Sequence, residues 1–346
     1  MSWLEREIHE QPAAIARLLE AARGTVEELA AAIRARDVRY ILIAARGTSD
    51  NAGRYAGYLF SAYNGLPVAM ATPSLYTLYH QPPRLRDVLV LGISQSGRSV
   101  DIIDVLQEAQ RQGALTAAIT NDPQSPLGEV ATFTLDLCAG EERAVAATKT
   151  YTSSLVMLAL LSAMLAEDEE RLAVLSRLPE AVTRTLELTE DVARTRAERY
   201  RYMEYCITIG RGFNYATAFE IALKLKELTY IVAEPYSSAD FRHGPMAIIE
   251  PGFPVLVVAP DSALFSDLVA FLQELRERRA EVVVISNRME ALELAAIAMP
   301  LPTALPEWLS PVAAVIPGQL LAYYLTLAKG LQPDAPRGLR KVTVTR

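Results

Sequence analysis

One half of this chain repeats the other. Residues 40–47, YILIAARG, match residues 205–212, YCITIGRG, at an offset of 165. Two later landmarks recur at an offset of 166: Asp101 with Asp267 and Asn121 with Asn287. Three strand-and-turn landmarks at nearly one offset are hard to obtain by chance. The sequence therefore predicts two tandem copies of one fold, each of about 130 to 150 residues, an ordinary domain size.

Each copy has the pattern of a parallel sheet. In the first copy, continuous apolar runs at 40–44, 88–94 and 115–120 are each followed by polar turn residues and then by helical spacing. Such alternation is typical of parallel sheets covered on both faces. We therefore expect an α/β protein of two tandem domains, each a parallel sheet with helices on both faces. The expected bounds are a helical leader at 1–36, a first domain at 37–167, a helical connector at 168–199 and a second domain at 200–346.

The composition narrows the classes of partner. The net charge is −7 and the pI is near 5.3, which argues against a nucleic-acid-binding surface but permits a local anion site. The cysteines are Cys138 and Cys206, and the histidines are His9, His80 and His243, all far apart in sequence. We therefore expect no disulfide framework and no metal ion. Since the phosphate-binding loop of nucleotide-binding proteins has no counterpart here, we expect no nucleotide or other cofactor.

The chain is not expected to enter a membrane. Its first residues, MSWLEREIHEQP, are charged and lack the apolar core of a signal peptide. The most apolar segment, Leu155–Ala166, is shorter than the ~20 residues that span a bilayer, so we expect it to form a buried core helix. The resulting expectation is a cytoplasmic protein.

Small polar side chains come after two strands of the first copy. They are Thr48 and Ser49, next to Gly47, after the first strand, and Ser94, Gln95, Ser96 and Ser99 after the next. Gly97 would let the backbone approach a ligand closely. The second copy has Phe-Asn and Pro-Asp-Ser-Ala at the matching positions, 213–214 and 260–263. Spacing alone favours a phosphate cradle at the carboxyl edge of the first sheet about equally with a helix-capping turn that binds nothing.

The second copy carries a possible acid–base group. Glu220, Lys224 and Glu227 are spaced by four and three residues in FEIALKLKEL, which puts them on one face of a helix. On spacing alone an exposed Glu–Lys ladder is the favoured interpretation. His243 lies in the loop sequence Phe-Arg-His-Gly-Pro, and Lys341 lies close to the C-terminus. Lone histidines and terminal lysines of this kind are more often structural or solvated than catalytic.

Several motifs together resemble one known family. ARGTS at 45–49, SQSG at 94–97 and AATK at 146–149 resemble the sugar isomerase (SIS) domain family. The stretches 210–252 and DAPRGLRKVTV at 334–344 are similar to the isomerase half of glucosamine-6-phosphate synthase, a double-SIS protein. These motifs keep the family's order from about residue 40 to the end of the chain.

The resemblance implies a role for each candidate residue. Glu227 would move a proton between C1 and C2 of an open-chain sugar phosphate, with Lys224 assisting in proton handling. His243 would help to open the sugar ring and Lys341 would form a Schiff base with the keto sugar. The family often delivers the histidine to the neighbouring subunit, which implies a homodimer with a shared site. The implied phosphate and substrate contacts are Gly47, Thr48, Ser49, Val145, Ser94, Gln95, Ser96 and Ser99.

The expected activity is that of an amino-sugar-phosphate isomerase or deaminase. The sequence starts with Met-Ser-Trp and a short helical stretch, so we expect no glutaminase half and favour conversion of glucosamine 6-phosphate to fructose 6-phosphate and ammonia. Arg98 stands where synthases usually have Glu and resembles the deaminase-like relatives, while Ala147 stands where they usually have Ser. One alternative is an isomerase subunit that aminates fructose 6-phosphate with free or partner-supplied ammonia. The other is a sugar-phosphate sensor without catalysis.

Overall fold

The computed structural model describes residues 1–303 and 305–341. Positions 342–344, the last three residues of the family-like stretch DAPRGLRKVTV, lie outside the described residues. The chain forms two compact units. The first-sheet unit comprises Ala13–Glu142, Lys149–Ser176 and the segment from Arg340. The second-sheet unit comprises Met1–Pro12, which includes helix α1 (Trp3–His9), together with Arg143–Thr148 and Arg177–Leu339.

The first-sheet unit contains a five-stranded parallel sheet. Its strands are β1 (Tyr40–Ala44), β2 (Val68–Met70), β3 (Val88–Ile93), β4 (Leu115–Thr120) and β5 (Phe133–Asp136), in the order β2-β1-β3-β4-β5. The helices of this part of the chain are α2 (Gln11–Ala21), α3 (Arg23–Ala35), α4 (Thr48–Asn64), α5 (Ser74–Thr77), α6 (Val100–Arg111), α7 (Pro126–Val130), α8 (Lys149–Leu165) and α9 (Glu169–Leu175). Every residue of β3 and β4 is buried, as the continuous apolar runs predicted. The strands expected from the runs at 40–44, 88–94 and 115–120 are confirmed to within one residue.

The second-sheet unit repeats this topology. Its strands are β6 (Tyr205–Ile209), β7 (Val232–Tyr236), β8 (Pro254–Val258), β9 (Glu281–Ser286) and β10 (Ile297–Pro300). The order β7-β6-β8-β9-β10 matches that of the first sheet strand for strand, and all neighbours are parallel. The helices are α10 (Leu178–Arg196), α11 (Tyr215–Thr229), α12 (Ser238–Arg242), α13 (Phe265–Glu277), α14 (Met289–Leu292) and α15 (Ser310–Ala328). Short 3₁₀ turns lie at Ala197–Tyr200, Gly212–Asn214, Pro245–Ile248 and Glu307–Leu309.

An ion pair marks the repeat inside each unit. After β1, Arg46 Nε donates to Asp101 Oδ2 at 2.8 Å, and the Asp101 side chain is 1% exposed. After β6, Arg211 contacts Asp267, and these two residues are the counterparts of Arg46 and Asp101 by the sequence offset. The same pair at the same edge of both sheets, together with the shared strand order, confirms the internal repeat.

Two apolar helices provide much of the interior. Helix α8 contains the segment Leu155–Ala166 up to Leu165 and is buried from Lys149 to Met164, as expected for a core helix. Helix α15 packs closely on α11, because a Cβ atom added to Gly318 would lie 2.4 Å from Cγ1 of Ile221. This close approach covers one side of α11, the helix that carries Glu220, Lys224 and Glu227.

One stretch of the described chain passes a simple test for a membrane span. Residues Glu307–Ala328 form 22 helical residues that are long and apolar enough to cross a bilayer, judged by length and composition only. The segment singled out from the sequence was instead the shorter Leu155–Ala166. In the structure 83% of the apolar window in Glu307–Ala328 is buried inside the protein, and a core helix of this kind passes the same test. The stretch is therefore weak evidence for a membrane span.

Candidate active site

The candidate phosphate donors share one edge of the first sheet. Strands β1 and β3 are parallel neighbours, with Ala44 paired to Gly92, so their carboxyl ends lie side by side. The chain runs from β1 outward to β2 and then returns to the other side of β1 as β3. Such a reversal of strand order leaves a crevice at the carboxyl ends, which is where open α/β sheets bind ligands. We call the residues that come after these two strands the cradle: Gly47, Thr48, Ser49, Ser94, Gln95, Ser96 and Ser99.

The cradle is built around two glycines in the left-handed region. Gly47 has φ +54° and immediately precedes Thr48, the first residue of the 17-residue helix α4. Gly97 has φ +62°, and a Cβ atom there would lie only 1.8 Å from Ser125 Oγ. The N-terminus of α4 adds a partial positive charge to this edge of the sheet. Both features suit a bound anion.

The capping alternative does not describe this turn. Ser99 occupies the N-cap position of α6, but its side chain makes no capping hydrogen bond. Its Oγ lies instead 3.3 Å from Oγ of Ser94, which is buried at the end of β3. The two hydroxyls face one another rather than the helix backbone, so they remain available as a pair at the cradle.

The Arg98 side chain is paired with a carboxylate that is not part of the cradle. Its side chain is 62% exposed, and Nη2 lies 3.4 Å from Oδ2 of Asp122. The positive charge of Arg98 is thus shared with a neighbouring carboxylate. Because the guanidinium is largely solvated, its field at the cradle is also screened.

The matching edge of the second sheet is unsuited to an anion. Pro260 and Asp261 replace Ser94 and Gln95, which removes a hydroxyl and adds a negative charge. The backbone N–H of Ala263 donates to Oε2 of Glu307 at 3.0 Å, so the protein's own carboxylate already occupies the turn. Of the donors at Ser94, Gln95 and Ser96, the second turn keeps only the counterpart of Ser96, which is Ser262.

A buried cluster of charged side chains lies on helix α11 of the second-sheet unit. Lys224 Nζ lies 2.6 Å from Glu227 Oε2 and 3.3 Å from Glu220 Oε1. The side chains of Lys224 and Glu220 are 1% and 0% exposed, whereas Glu227 is 24% exposed. The solvated Glu–Lys ladder that spacing alone favoured is therefore wrong, because the ammonium and one carboxylate are out of reach of water. The partly open Glu227 is the member of the cluster that a substrate can reach.

The charge state of the cluster is set by its contacts. Burial alone would lower the pKa of Lys224, but the carboxylates of Glu227 and Glu220 raise it above its ordinary value. Lys224 is therefore an ammonium at neutral pH. Its Nζ, 2.6 Å from Glu227 Oε2, holds the partly open carboxyl group of Glu227 in place.

Helix α11 is fixed at both ends. Before its first turn, Asn214 Nδ2 donates to Ser310 Oγ at 2.7 Å and Thr217 Oγ1 donates to Asn214 Oδ1 at 2.9 Å. At its end Tyr230 takes a left-handed conformation with φ +60°, and its hydroxyl accepts the N–H of Arg337 at 2.6 Å. These contacts restrict movement of the helix that holds the charged cluster.

His243 lies on an exposed turn of the second-sheet unit. It comes after α12 and precedes Gly244, which has φ +127°. The preceding residue, Arg242, is anchored by Glu274 at 2.9 Å and Asp267 at 3.0 Å. The turn is thus held in place from behind while the imidazole is exposed to solvent.

Lys341 contacts a buried carboxylate of the first-sheet unit. Its Nζ donates to Glu142 Oε2 at 2.8 Å, and the Glu142 side chain is 0% exposed. The same carboxylate accepts the N–H of Thr150 at 3.1 Å and its hydroxyl at 2.8 Å at the start of α8. Lys341 is therefore not a solvated tail lysine. Glu142 was not predicted from the sequence, since no local pattern links residues 199 positions apart.

Val145 lies in the segment 143–148, which is part of the second-sheet unit. Its side chain is half-buried, as is that of Ala147, whereas Ala144 and Ala146 are buried.

Among residues 1–303 and 305–341, no group of three or more His, Cys, Asp or Glu is arranged to hold a metal ion.

The fold defines a class: a tandem α/β protein in which each half is a five-stranded parallel sheet of the same strand order with helices around it. Both halves match the SIS domain family, over residues 36–164 and 205–329, and the chain belongs to that family. The tandem SIS fold predicted from the sequence is thereby confirmed.

Several named proteins are similar to this chain. Glutamine–fructose-6-phosphate aminotransferase (isomerizing) of Aquifex aeolicus is 36% identical over 343 residues, which cover 98% of this chain and 57% of that protein. The chain thus spans less than three fifths of the length of that relative. The solved C-terminal domain of glucosamine–fructose-6-phosphate aminotransferase from Francisella tularensis has a TM-score of 0.89 and 29% identity, covering 97% of this chain and 98% of that one. Glucosamine-6-phosphate deaminase from Thermotoga maritima has a TM-score of 0.81 and 20% identity, covering 99% and 100%, and this likeness shows the fold alone.

Proposed function

We propose that this chain interconverts glucosamine 6-phosphate with fructose 6-phosphate and ammonia by moving a proton between C1 and C2 of the open-chain sugar. The observation that carries the proposal is the buried Glu220–Lys224–Glu227 cluster, in which Glu227 alone is partly open. The similarity to aminotransferases of fructose 6-phosphate supports the substrate class.

The cradle would bind the phosphate. Side-chain donors come from Thr48, Ser49, Ser94, Gln95, Ser96 and Ser99. Gly47 would let the backbone approach the phosphate closely, and the N-terminus of α4 adds a partial positive charge. Val145 would contact the sugar. A phosphate bound in this way serves as the fixed point from which the reacting carbons are placed.

Glu227 would act as the base. In the open-chain aldehyde form of glucosamine 6-phosphate, the C2 proton is α to the C1 carbonyl and therefore acidic. Glu227 takes this proton while O1 gains one, which gives an enolamine, and then returns it to C1 while the nitrogen loses a proton, which leaves a C1 hydroxyl and an imine at C2. Lys341 then displaces ammonia from the imine carbon to form a Schiff base, and water hydrolyses this Schiff base to fructose 6-phosphate and the free lysine. Lys224, whose Nζ lies 2.6 Å from Glu227 Oε2, would hold this carboxyl group in place through both transfers.

His243 and Lys341 would act before and after the proton transfer. His243 would move a proton from the C1 hydroxyl toward the ring oxygen as the sugar opens. Lys341 would form a Schiff base with the keto sugar, for which its amine must first lose a proton. The Glu142 carboxylate, 2.8 Å from Nζ, lies within hydrogen-bond reach to accept that proton.

The direction of the reaction is the finer part of the proposal. Arg98 favours deamination by its resemblance to deaminase-like relatives, although in the structure it is turned to Asp122. Amination of fructose 6-phosphate is the second candidate, and the 36% identity to an aminotransferase of that sugar favours it. Both directions use the same residues, since they are the forward and reverse of one reaction.

A panel of hexosamine 6-phosphates tests the activity. Purified protein should release ammonia and a ketose phosphate from glucosamine 6-phosphate, or consume both when fructose 6-phosphate and ammonium are supplied. Glu227→Gln should lower kcat by about 10²–10⁴-fold, because it removes a positioned base. As a control, Glu234→Gln changes an exposed glutamate of β7 outside the cluster and should leave the rate unchanged.

Two results would oppose the proposal. If no member of the panel is turned over in either direction while calorimetry shows sugar-phosphate binding, the chain is a sensor rather than an enzyme. If Glu227→Gln retains the rate, the base has been assigned wrongly.

We also propose a homodimer in which His243 serves the partner's site, which the exposed position of the imidazole permits. Mixing inactive Glu227→Gln and His243→Ala chains under exchange conditions should restore activity, because a mixed dimer would contain one site with both native residues. Light scattering reports the mass, and a monomer at assay concentration would contradict the proposal.

A further inference from the structure

A short segment of the chain changes units. The residues on either side of it, up to Glu142 and from Lys149, belong to the first-sheet unit, but Arg143–Thr148 belongs to the second-sheet unit together with helix α1. The segment has no regular secondary structure, so no strand or helix ladder sets its backbone. Its conformation depends on contacts made by other parts of the second-sheet unit.

Glu7 of α1 makes such a contact. Its side chain is buried, with the residue 1% exposed. The carboxylate accepts the backbone N–H of Arg143 at 2.5 Å and that of Ala144 at 3.4 Å and 3.2 Å for its two oxygens. Two successive amides therefore donate to one buried carboxyl group, and the first of them is 136 residues away in sequence.

Helix α1 is itself firmly held. The N–H groups of Trp3 and Leu4 both donate to the carboxylate of Asp334 at 2.9 Å. Leu4 and Ile8 are fully buried, and α1 packs against α15. The Arg143 guanidinium stacks on the Trp3 ring, 4.3 Å from its centroid, which ties the segment to α1 a second time.

These contacts lie immediately before the candidate sugar-contacting residue. Val145 is the next residue after the two held amides. Burial alternates along the segment, with Ala144 and Ala146 buried and Val145 and Ala147 half-buried. Because the backbone is held at residues 143 and 144, the side chains of residues 145 and 147 are kept on the partly exposed face of the segment.

We infer that Glu7 is a positioning residue for the substrate-binding segment 143–148. Helix α1 is then part of the binding apparatus, in contrast to the plain helical leader expected from the sequence. This inference rests on the proposed function, in which Val145 contacts the sugar. Glu7 acts through the backbone and touches no reacting atom, so its loss should weaken substrate binding more than it slows the chemistry.

Glu7→Ala, Glu7→Gln and Glu20→Ala test the inference in the full chain. In Glu7→Ala we expect KM for glucosamine 6-phosphate to rise about tenfold with kcat changed less than about threefold, because uniform binding is lost. Glu7→Gln keeps an acceptor oxygen and should recover most of the KM. Glu20→Ala alters an exposed glutamate of α2 and should match the wild type.

Hydrogen exchange gives a readout that does not depend on turnover. The amides of Arg143 and Ala144 should exchange faster in Glu7→Ala, whereas those of β9 should be unchanged. If Glu7→Ala fails to fold, the same two measurements on Glu7→Gln decide, with a smaller KM rise and faster exchange confined to the segment expected.

The outcomes separate the two proposals. A wild-type chain without turnover on the panel defeats the proposed function. A wild-type chain with turnover whose KM is unchanged by Glu7→Ala defeats the inference alone. The inference also fails if the variant mainly loses kcat, or if the amides of β9 exchange faster together with those of the segment.

Discussion

Replacing Gly97 by alanine tests the geometry of the cradle. Gly97 has φ +62°, and an added Cβ would lie 1.8 Å from Ser125 Oγ and 2.4 Å from Ser125 Cβ. Both distances are far inside van der Waals contact, so the turn or Ser125 has to move. Ser125 caps α7 by accepting the N–H of Gly128 at 3.4 Å, so it cannot move without loss of the cap.

The expected loss has three parts. The left-handed conformation costs alanine about 1–2 kcal/mol. Forcing a methyl group into a filled space costs about 1–3 kcal/mol. Weakening the cap at Ser125 costs about 1 kcal/mol. We therefore expect Gly97→Ala to lower the free energy of unfolding by about 3–6 kcal/mol.

Gly113 supplies a matched control. It lies in the same unit with φ +79°, but nothing lies within 4 Å of its added Cβ. Gly113→Ala should therefore lose only the conformational part, about 1–2 kcal/mol. Urea denaturation of both variants gives the difference, and hydrogen exchange in β3 and β4 assigns it to the first-sheet unit. If Gly97→Ala loses no more than Gly113→Ala, the close approach to Ser125 is wrong.

Two further predictions address charged groups of the second-sheet unit. Lys224→Met removes the ammonium from the fully buried Glu220 and should lower the free energy of unfolding by about 3–5 kcal/mol in urea denaturation. The control Lys226→Met changes an exposed lysine and should lower it by less than about 0.5 kcal/mol. Equal losses would contradict the buried cluster. Burial alone would lower the pKa of His9, but the Glu5 carbonyl and the Glu190 carboxylate raise it above 6.5, so the protonated form stabilises the fold. This contribution is present below pH 6.5 and is lost as the pH rises through the folded-state pKa of His9. The difference in unfolding free energy between wild type and His9→Gln should therefore shrink with rising pH, and a constant difference would refute the prediction.

The activity of each variant separates structure from chemistry. A cradle distorted by Gly97→Ala should lose sugar-phosphate binding, whereas the Glu227→Gln variant should keep it and lose turnover. These two patterns distinguish the phosphate site from the base even though both variants are inactive at low substrate.

Much of the fold could be predicted from local patterns. The apolar runs at 40–44, 88–94 and 115–120 identified three of the first sheet's strands because a strand buried on both faces is apolar at every position. The repeated landmarks predicted the second sheet, and they also showed which of the two equivalent edges has more hydroxyl donors. The domain bounds drawn from the sequence stay a prediction.

Local spacing could not decide the state of Glu220, Lys224 and Glu227. Residues three and four apart lie on one helical face whether that face is wet or buried. The tertiary structure adds the packing of α15 on α11, where Gly318 allows a close approach at Ile221. No pattern within FEIALKLKEL contains this information.

Strand burial and turn chemistry are encoded in neighbouring residues, so the amino-acid order alone predicts the tandem parallel sheets and indicates the sheet edge that we propose for the phosphate. The partners of the isolated charged groups are instead set by packing: Glu142 for Lys341, the 143–144 backbone for Glu7, and the second-sheet turn for Glu307. These partners lie 199, 136 and 44 positions apart. Contacts at such separations have no periodicity, and they exist only once packing has brought the segments together.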